Sequence, residues 1–250
     1  MNTLMTKKKY KIDWGIFALI EFIGSSSSLI GNKYKKAIDI GSGDGIHTEI
    51  MRHAGLEVFQ VDKYSKNAEY KVDFIKHNFK DKYDVIFCSH VIEHQRNVGL
   101  FLDKIFDLLT DHGLLLISAP KHPAEQLVEG HLNCFYLTYF LQQLIHAGFD
   151  LKNGKVLSCY KIENSAIVKK DRNFRLEERN ESGYTWQEHH QLRSPVVLRH
   201  CEISNDTWFF NNCEVLATPD NKNVSINFPS DYKKFGIDII GERWNLNVEL

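Results

Sequence analysis

Short apolar runs along this chain alternate with segments whose apolar residues recur at helical spacing. The runs Lys36–Ile40, Glu57–Val61, Asp84–Cys88 and Leu114–Ser118 predict buried strands. Between them, residues 47–54 predict a helix. Phe101, Leu102, Ile105, Leu108 and Leu109 predict another that stops at Gly113, and Phe140, Leu141, Leu144 and Ile145 predict a third closed by Gly148. Residues 155–160 and 162–169 predict a terminal strand pair. Earlier, residues 11–23 predict a short helix with Asp13 as its N-cap, broken at Gly24 and the four serines that follow. Strands alternating with helices imply an α/β domain whose mostly parallel sheet is covered on both faces, with its ligand edge beyond the carboxyl ends of the strands.

The pattern divides the chain into an N-terminal helical segment (1–29), an α/β domain (30–170) and a C-terminal extension (171–250). The extension opens with a charged linker. Its later stretches Trp208–Phe210, Glu214–Ala217 and Val224–Phe228 alternate like short strands, which predicts a small β-rich appendage and a surface for homodimer formation.

Composition changes this picture little but narrows the partners. The chain has 250 residues, 43% apolar and 25% charged, with a formal net charge of -1. No basic excess is available to grip a phosphate backbone, so no nucleic-acid partner is expected. Five scattered cysteines form neither a disulfide framework nor a zinc motif. The apolar stretch 16–23 is interrupted by Glu21, so neither a signal peptide nor a membrane span is expected, and the location expected is cytoplasmic.

The chemistry concentrates after the first strand of the α/β domain, in Ala37-Ile38-Asp39-Ile40-Gly41-Ser42-Gly43-Asp44-Gly45. Glycines there let a ligand approach the backbone. The third glycine comes one residue too early for a dinucleotide fingerprint, and Ile46 stands where that fingerprint needs glycine. Asp39 and Asp44 would repel a pyrophosphate but suit a ligand carrying sulfonium and ammonium charges. Asp62, ending the next strand, is placed to accept the hydroxyls of a ribose.

With these residues in order, the chain resembles the class I S-adenosylmethionine-dependent methyltransferases, in particular the small-molecule branch that includes the ubiquinone-pathway O-methyltransferases. The resemblance rests on AIDIGSGDG at 37–45, VDK at 61–63, YDVIFCSHVIEH at 83–94, LLTDHGLLLISAPKHP at 108–123 and GHLNCFYLTYFLQQLIHAGF at 130–149. It implies a Rossmann-like, seven-stranded, mostly parallel sheet and S-adenosyl-L-methionine as cofactor. Carried onto this chain, it implies that Asp39, Gly41 and Gly43, with Ser42 in the same loop, hold the amino-acid end of the cofactor. Asp62 then binds the ribose, Lys63 lies near the adenine, Asp73 and Phe74 flank the adenine, and Ser89 lies close to the sulfonium. Thr110-Asp111-His112-Gly113 replaces the family's usual Lys-Pro-Gly-Gly turn.

Methyl transfer to an alcohol or phenol needs a proton acceptor, and histidine suits that near neutral pH. His94, His131 and His90 are the candidates at the ligand edge, with His122 behind them. His94 is placed at the start of the helix after the Asp84–Cys88 strand, where it acts as a base or shapes its loop; His131 faces the substrate or pins its loop. Glu93, His94 and His131 can be read as metal ligands but match no metal motif, so no metal is expected. Glu188-His189-His190 and His200-Cys201 read as solvated polar stretches. Tyr136, Tyr139 and Phe140 line an acceptor pocket or belong to the core. The function expected is O-methylation of a small metabolite or a sugar unit of a glycan. N-methylation of a small molecule, protein or RNA, a non-catalytic cofactor-binding interaction protein, and a nicotinamide dehydrogenase are the alternatives.

Overall fold

The computed structural model describes residues 8–12, 14–121, 127–159, 163–180, 195–204, 207–210, 212–217 and 237–240. The strands are β1 (Lys8–Lys11), β2 (Lys36–Ile40), β3 (Glu57–Val61), β4 (Tyr83–Ser89), β5 (Leu109–Pro120), β6 (Phe149–Ser158), β7 (Glu163–Lys170), β8 (Cys201–Ser204), β9 (Thr207–Phe210), β10 (Glu214–Ala217) and β11 (Ile237–Ile240). The main helices are α1 (Ile16–Ser25), α2 (Ile46–His53), α3 (Val98–Leu108) and α4 (Leu137–His146).

Seven strands form one sheet in the order β10-β6-β7-β5-β4-β2-β3. Strand β7 runs antiparallel to both its neighbours; the remaining described pairings in this sheet are parallel. The expected Rossmann-like architecture is therefore the observed one. Six of its strands come from residues 36–170, and the seventh, β10, is supplied by the C-terminal extension, which docks on β6. In the extension β8 also pairs antiparallel with β9, and β11 pairs with β1. Val224–Phe228 lies outside the described residues.

Alternation along each strand sorts the core onto two faces. Ile38, Ile86 and Leu115 pack with Phe101, Leu102, Phe140 and Leu141 of α3 and α4. Ala37, Val85, Phe87 and Leu116 pack with Ile50 and Met51 of α2 and with α1. Residues Ile16 to Gly24 are all buried, so α1 belongs to the core, packed against β5 and β7. Its one acid, Glu21, is 2% exposed and meets Lys155 of β6 at 2.5 Å.

Three local expectations need correction. The first helix begins at Ile16, not residue 11, because Gly15 at its N-cap takes a left-handed φ of 69° and Lys8–Lys11 is drawn into a strand by β11. Asp13, the expected cap, lies outside the described residues. The helix expected to run to Gly113 stops at Leu108, and residues 109–120 are strand. The pairing jumps from Tyr83↔Leu109 to Val85↔Leu114, so Thr110–Gly113 bulge within β5 instead of making a turn. His94 sits in a short 3-10 turn, Ile92–His94, ahead of α3. No helix among the described residues is long and apolar enough to cross a membrane, and all five cysteines are free thiols.

Candidate active site

A cleft of about 540 Å³ opens at the carboxyl ends of β2, β3 and β4. Its floor is the glycine loop. Gly41 takes a φ of 75°, and a Cβ there would stand 2.2 Å from Val91 Cγ2, so the loop and the β4 exit are packed as closely as bare backbone allows. The Gly41 N–H donates to Val61 O at 2.7 Å, and the Gly43 N–H donates to Asp62 Oδ2 at 2.9 Å. Gly43 itself faces open space.

Asp62 is the organising acid of this wall. Its Oδ1 accepts the N–H groups of Tyr64 at 2.7 Å and Ser65 at 2.8 Å. Partial burial works to raise its pKa, but these donors together with Gly43 hold it below the ordinary carboxylate value. An ionised carboxylate has about four acceptor positions. Three backbone donors therefore leave about one acceptor position of Asp62 open. Lys63 pairs with Asp73 at 3.8 Å, and both line the cleft with Phe74, whose ring packs edge-on against Phe101.

Besides Gly43, three residues expected at the cofactor do not line this cleft. Asp39 is 1% exposed beneath the loop, where the Thr48 hydroxyl donates to it at 2.6 Å. Burial pushes its carboxyl up to about 7 against the pull of Thr48, and the charge of Asp62 adds to the rise. Ser42 is buried, with no partner for its hydroxyl among the described residues. Ser89 points away from the cleft toward Gly15 and takes a hydrogen bond from Ser118 at 3.1 Å. Burial beneath a tight loop is a tertiary outcome, and the loop sequence carries no sign of it.

The opposite wall carries the histidines. His90 and His94 line the cleft with Val91 and Gln95. His94 Nδ1 lies 2.8 Å from the Gly130 carbonyl, which can only accept, so Nδ1 carries the proton. The His94 ring meets His131 edge-on at 4.9 Å, and the Glu93 carbonyl accepts the N–H groups of Leu132 and Asn133. Together these contacts pin the 130–133 loop to the turn that carries Glu93 and His94. Glu93 is 1% exposed, its carboxylate oxygens without a hydrogen-bond partner among the described residues. Burial raises its pKa, opposed by the nearby His90 and His94.

Ligand atoms of Glu93, His94 and His131 fall within 4.8 Å of one another. Neighbouring ligands of one tetrahedral zinc stand about 3.4 Å apart. His94 Nδ1 is held by Gly130, so its Nε2, 3.6 Å from Glu93 Oε1, is the nitrogen that faces this group. His122 and Glu188–His190 lie outside the described residues, and His200 bonds the Lys152 N–H and Asp171.

Two site residues escaped the sequence. Glu163, at the start of β7, is fully buried and bonds His90 Nε2 at 2.9 Å. His47, on α2, donates from Nε2 to the Trp14 carbonyl at 2.6 Å, and burial first of all lowers its pKa. Its place near the head of the strand expected over 162–169 was the available sign of the first.

The family model described as a methyltransferase domain matches residues 16–154 of this chain. Among curated proteins, the ubiquinone biosynthesis O-methyltransferase of Bradyrhizobium diazoefficiens is 20% identical over 148 residues, 53% of this chain and 58% of that protein. The protein so named from Pelagibacter ubique is 26% identical over 154 residues, 54% of this chain and 63% of the relative. The chain therefore spans little more than half the length of the curated relatives it matches. Among solved structures, a 1,6-didemethyltoxoflavin-N1-methyltransferase from Burkholderia thailandensis, determined with S-adenosylhomocysteine bound, is 15% identical with a TM-score of 0.47, covering 62% of this chain and 79% of that one.

Proposed function

Since the chain belongs to the methyltransferase-domain family and has the class I S-adenosylmethionine-dependent fold, we propose that it is an S-adenosyl-L-methionine-dependent O-methyltransferase acting on a small acceptor, a metabolite or a sugar unit. The observation that carries this reading is the lining of the cleft. A glycine loop too tightly packed at Gly41 to bear a side chain faces two acids, Asp62 and Asp73; Lys63 pairs with Asp73, which leaves Asp62 as the acid of this lining with no ion pair among the described residues. Such a surface disfavours a pyrophosphate and suits a cationic nucleoside.

In this reading Asp62 holds the ribose, Asp73 and Phe74 bound the adenine, and the backbone of Gly41, which lines the cleft, meets the amino-acid end together with that of Gly43, which is bonded to Asp62. The bound cofactor supplies a methyl group on a positively charged sulfur. The protein's share is positioning: it holds the acceptor oxygen against the His90–His94 wall. The ubiquinone-pathway names of the curated relatives support oxygen as the methylated atom.

Calorimetry with S-adenosylhomocysteine tests the reading, with NAD as the control. Binding of the thioether by the wild-type protein, lost in Asp62→Ala, is the expected result. Heat from NAD with none from the thioether would reverse the assignment.

A further inference from the structure

Two separate stretches of chain reach the His90 ring, and a third backs one of them. Glu163 reaches it from β7, with Oε2 2.9 Å from His90 Nε2. The same oxygen accepts the Gly15 N–H at 2.8 Å, and Oε1 accepts the Ser165 hydroxyl at 2.9 Å. From the N-terminal segment, the Trp14 ring lies against His90 at 4.8 Å, and Trp14 is itself held by His47 of α2 through its carbonyl. Gly15 is pressed so close that a Cβ would stand 2.4 Å from Ser89 Oγ. His90 adopts a φ of 54°, a left-handed conformation that a non-glycine residue holds only when its surroundings compel it.

A fully buried glutamate is costly, and a purely structural bond to a histidine would be met as well by an amide. Glu163 has the placement of the third member in a base-orienting arrangement: a buried carboxylate fixes one ring nitrogen and leaves the other to work. The other nitrogen, Nδ1, stands 3.8 Å from Glu93 Oε1, beyond hydrogen-bond distance, and His90 lines the cleft. His94 differs. A neutral carbonyl, that of Gly130, stands behind its ring where a buried carboxylate stands behind His90, and its side chain is 45% exposed against 15% for His90.

Building on the methyltransferase reading above, we propose that His90 is the catalytic base and that Glu163 is its positioning residue, holding the ring as the Nε2–H tautomer so that Nδ1 accepts the acceptor's proton. The acceptor O–H proton passes to Nδ1 and its bonding pair stays on oxygen. That oxygen bonds the methyl carbon as the carbon–sulfur pair departs with sulfur, so the sulfonium charge is lost and the imidazolium charge appears beside the Glu163 carboxylate. Glu163, Glu93 and His47 are the titratable groups that face His90 from β7, the 3-10 turn and α2.

Two measurements test this. Nitrogen-15 NMR of histidine-labelled protein, without cofactor, is expected to show His90 as the Nε2–H tautomer in the wild type and mixed tautomers in Glu163→Gln. A His90 protonated at Nδ1 in the wild type overturns the proposal whatever the activity. For turnover, catechol serves as the probe acceptor. His90→Gly, which glycine tolerates at this φ, is expected to lower kcat on the order of 10²-fold. Its affinity for S-adenosylhomocysteine should stay within about twofold, and added imidazole should restore turnover at least about tenfold, a rescue that a structural role would not give. Glu163→Gln is expected to lower kcat about tenfold with KM for catechol little changed. Undiminished kcat in His90→Gly, or rescue by imidazole in His94→Gly instead, overturns the assignment. If catechol is not methylated, the tautomer measurement decides. Failure of the wild-type protein to bind S-adenosylhomocysteine removes the methyltransferase reading and leaves the His90 tautomer to be judged separately.

Discussion

The Gly43 N–H donates to the Asp62 carboxylate across 2.9 Å, so the loop after β2 and the acid ending β3 are a single unit before any ligand arrives. Nineteen residues separate the partners, and the register of β2 on β3 brings them together. A ligand that engages Asp62 therefore acts on the loop as well.

That coupling predicts the outcome of Asp62→Asn. The amide keeps the shape but loses the charge and presents an N–H where backbone donors already point. Affinity for S-adenosylhomocysteine is expected to fall tenfold or more, about 1.4 kcal/mol, by calorimetry. The Asp62 pKa is depressed in the folded protein, so its contribution to stability is complete above the ordinary carboxylate value and is lost as pH falls through the lower folded value. Thermal melts from pH 6 down to pH 3 are expected to fall less steeply in the variant.

Asp39 has the opposite sign. Its folded carboxyl titrates at about 7, well above its ordinary value of 3.8, so the native state holds the proton more tightly than the unfolded chain. Its favourable contribution is full below 3.8 and is lost as pH rises through about 7. Melting temperatures of the wild type are expected to decline between pH 5 and pH 8, and Asp39→Asn to flatten that decline. An equal slope in both proteins would contradict the assignment.

Packing at the loop predicts a pair of unequal glycine variants. Gly41→Ala meets Val91 Cγ2 and is strained at φ 75°. It is expected to cost about 2–4 kcal/mol in denaturant unfolding, from left-handed strain together with overpacking. Gly43→Ala, facing open space at φ 52°, carries only the strain, about 1–2 kcal/mol. Adding Val91→Ala to Gly41→Ala is expected to recover part of the loss.

Glu21 of α1 and Lys155 of β6 predict how firmly the first helix is held. Lys155→Met leaves a buried carboxylate without its cation, and an unfolding cost of about 3 kcal/mol is expected. Glu21→Gln in the same chain is expected to return most of it. If the single and double variants unfold alike, the pair contributes nothing to holding α1.

By itself the amino-acid sequence determined those features whose information lies within a few neighbouring residues. Strands β2, β3 and β4 and the helices α3 and α4 follow from apolar spacing, the ligand-binding edge follows from the glycines after Ile40, and Asp62 is recognisable by its place at the end of β3. Tertiary structure alone decided what depends on which surfaces meet. It seated β10 on β6, bulged Thr110–Gly113 out of the pairing and buried Asp39 beneath the loop meant to display it. It also joined His90 to Glu163 across 73 residues. Local periodicity fixes which face of an element is apolar, but a buried acid acquires its partner only through the order of strands in the sheet, and no spacing along the chain encodes that order.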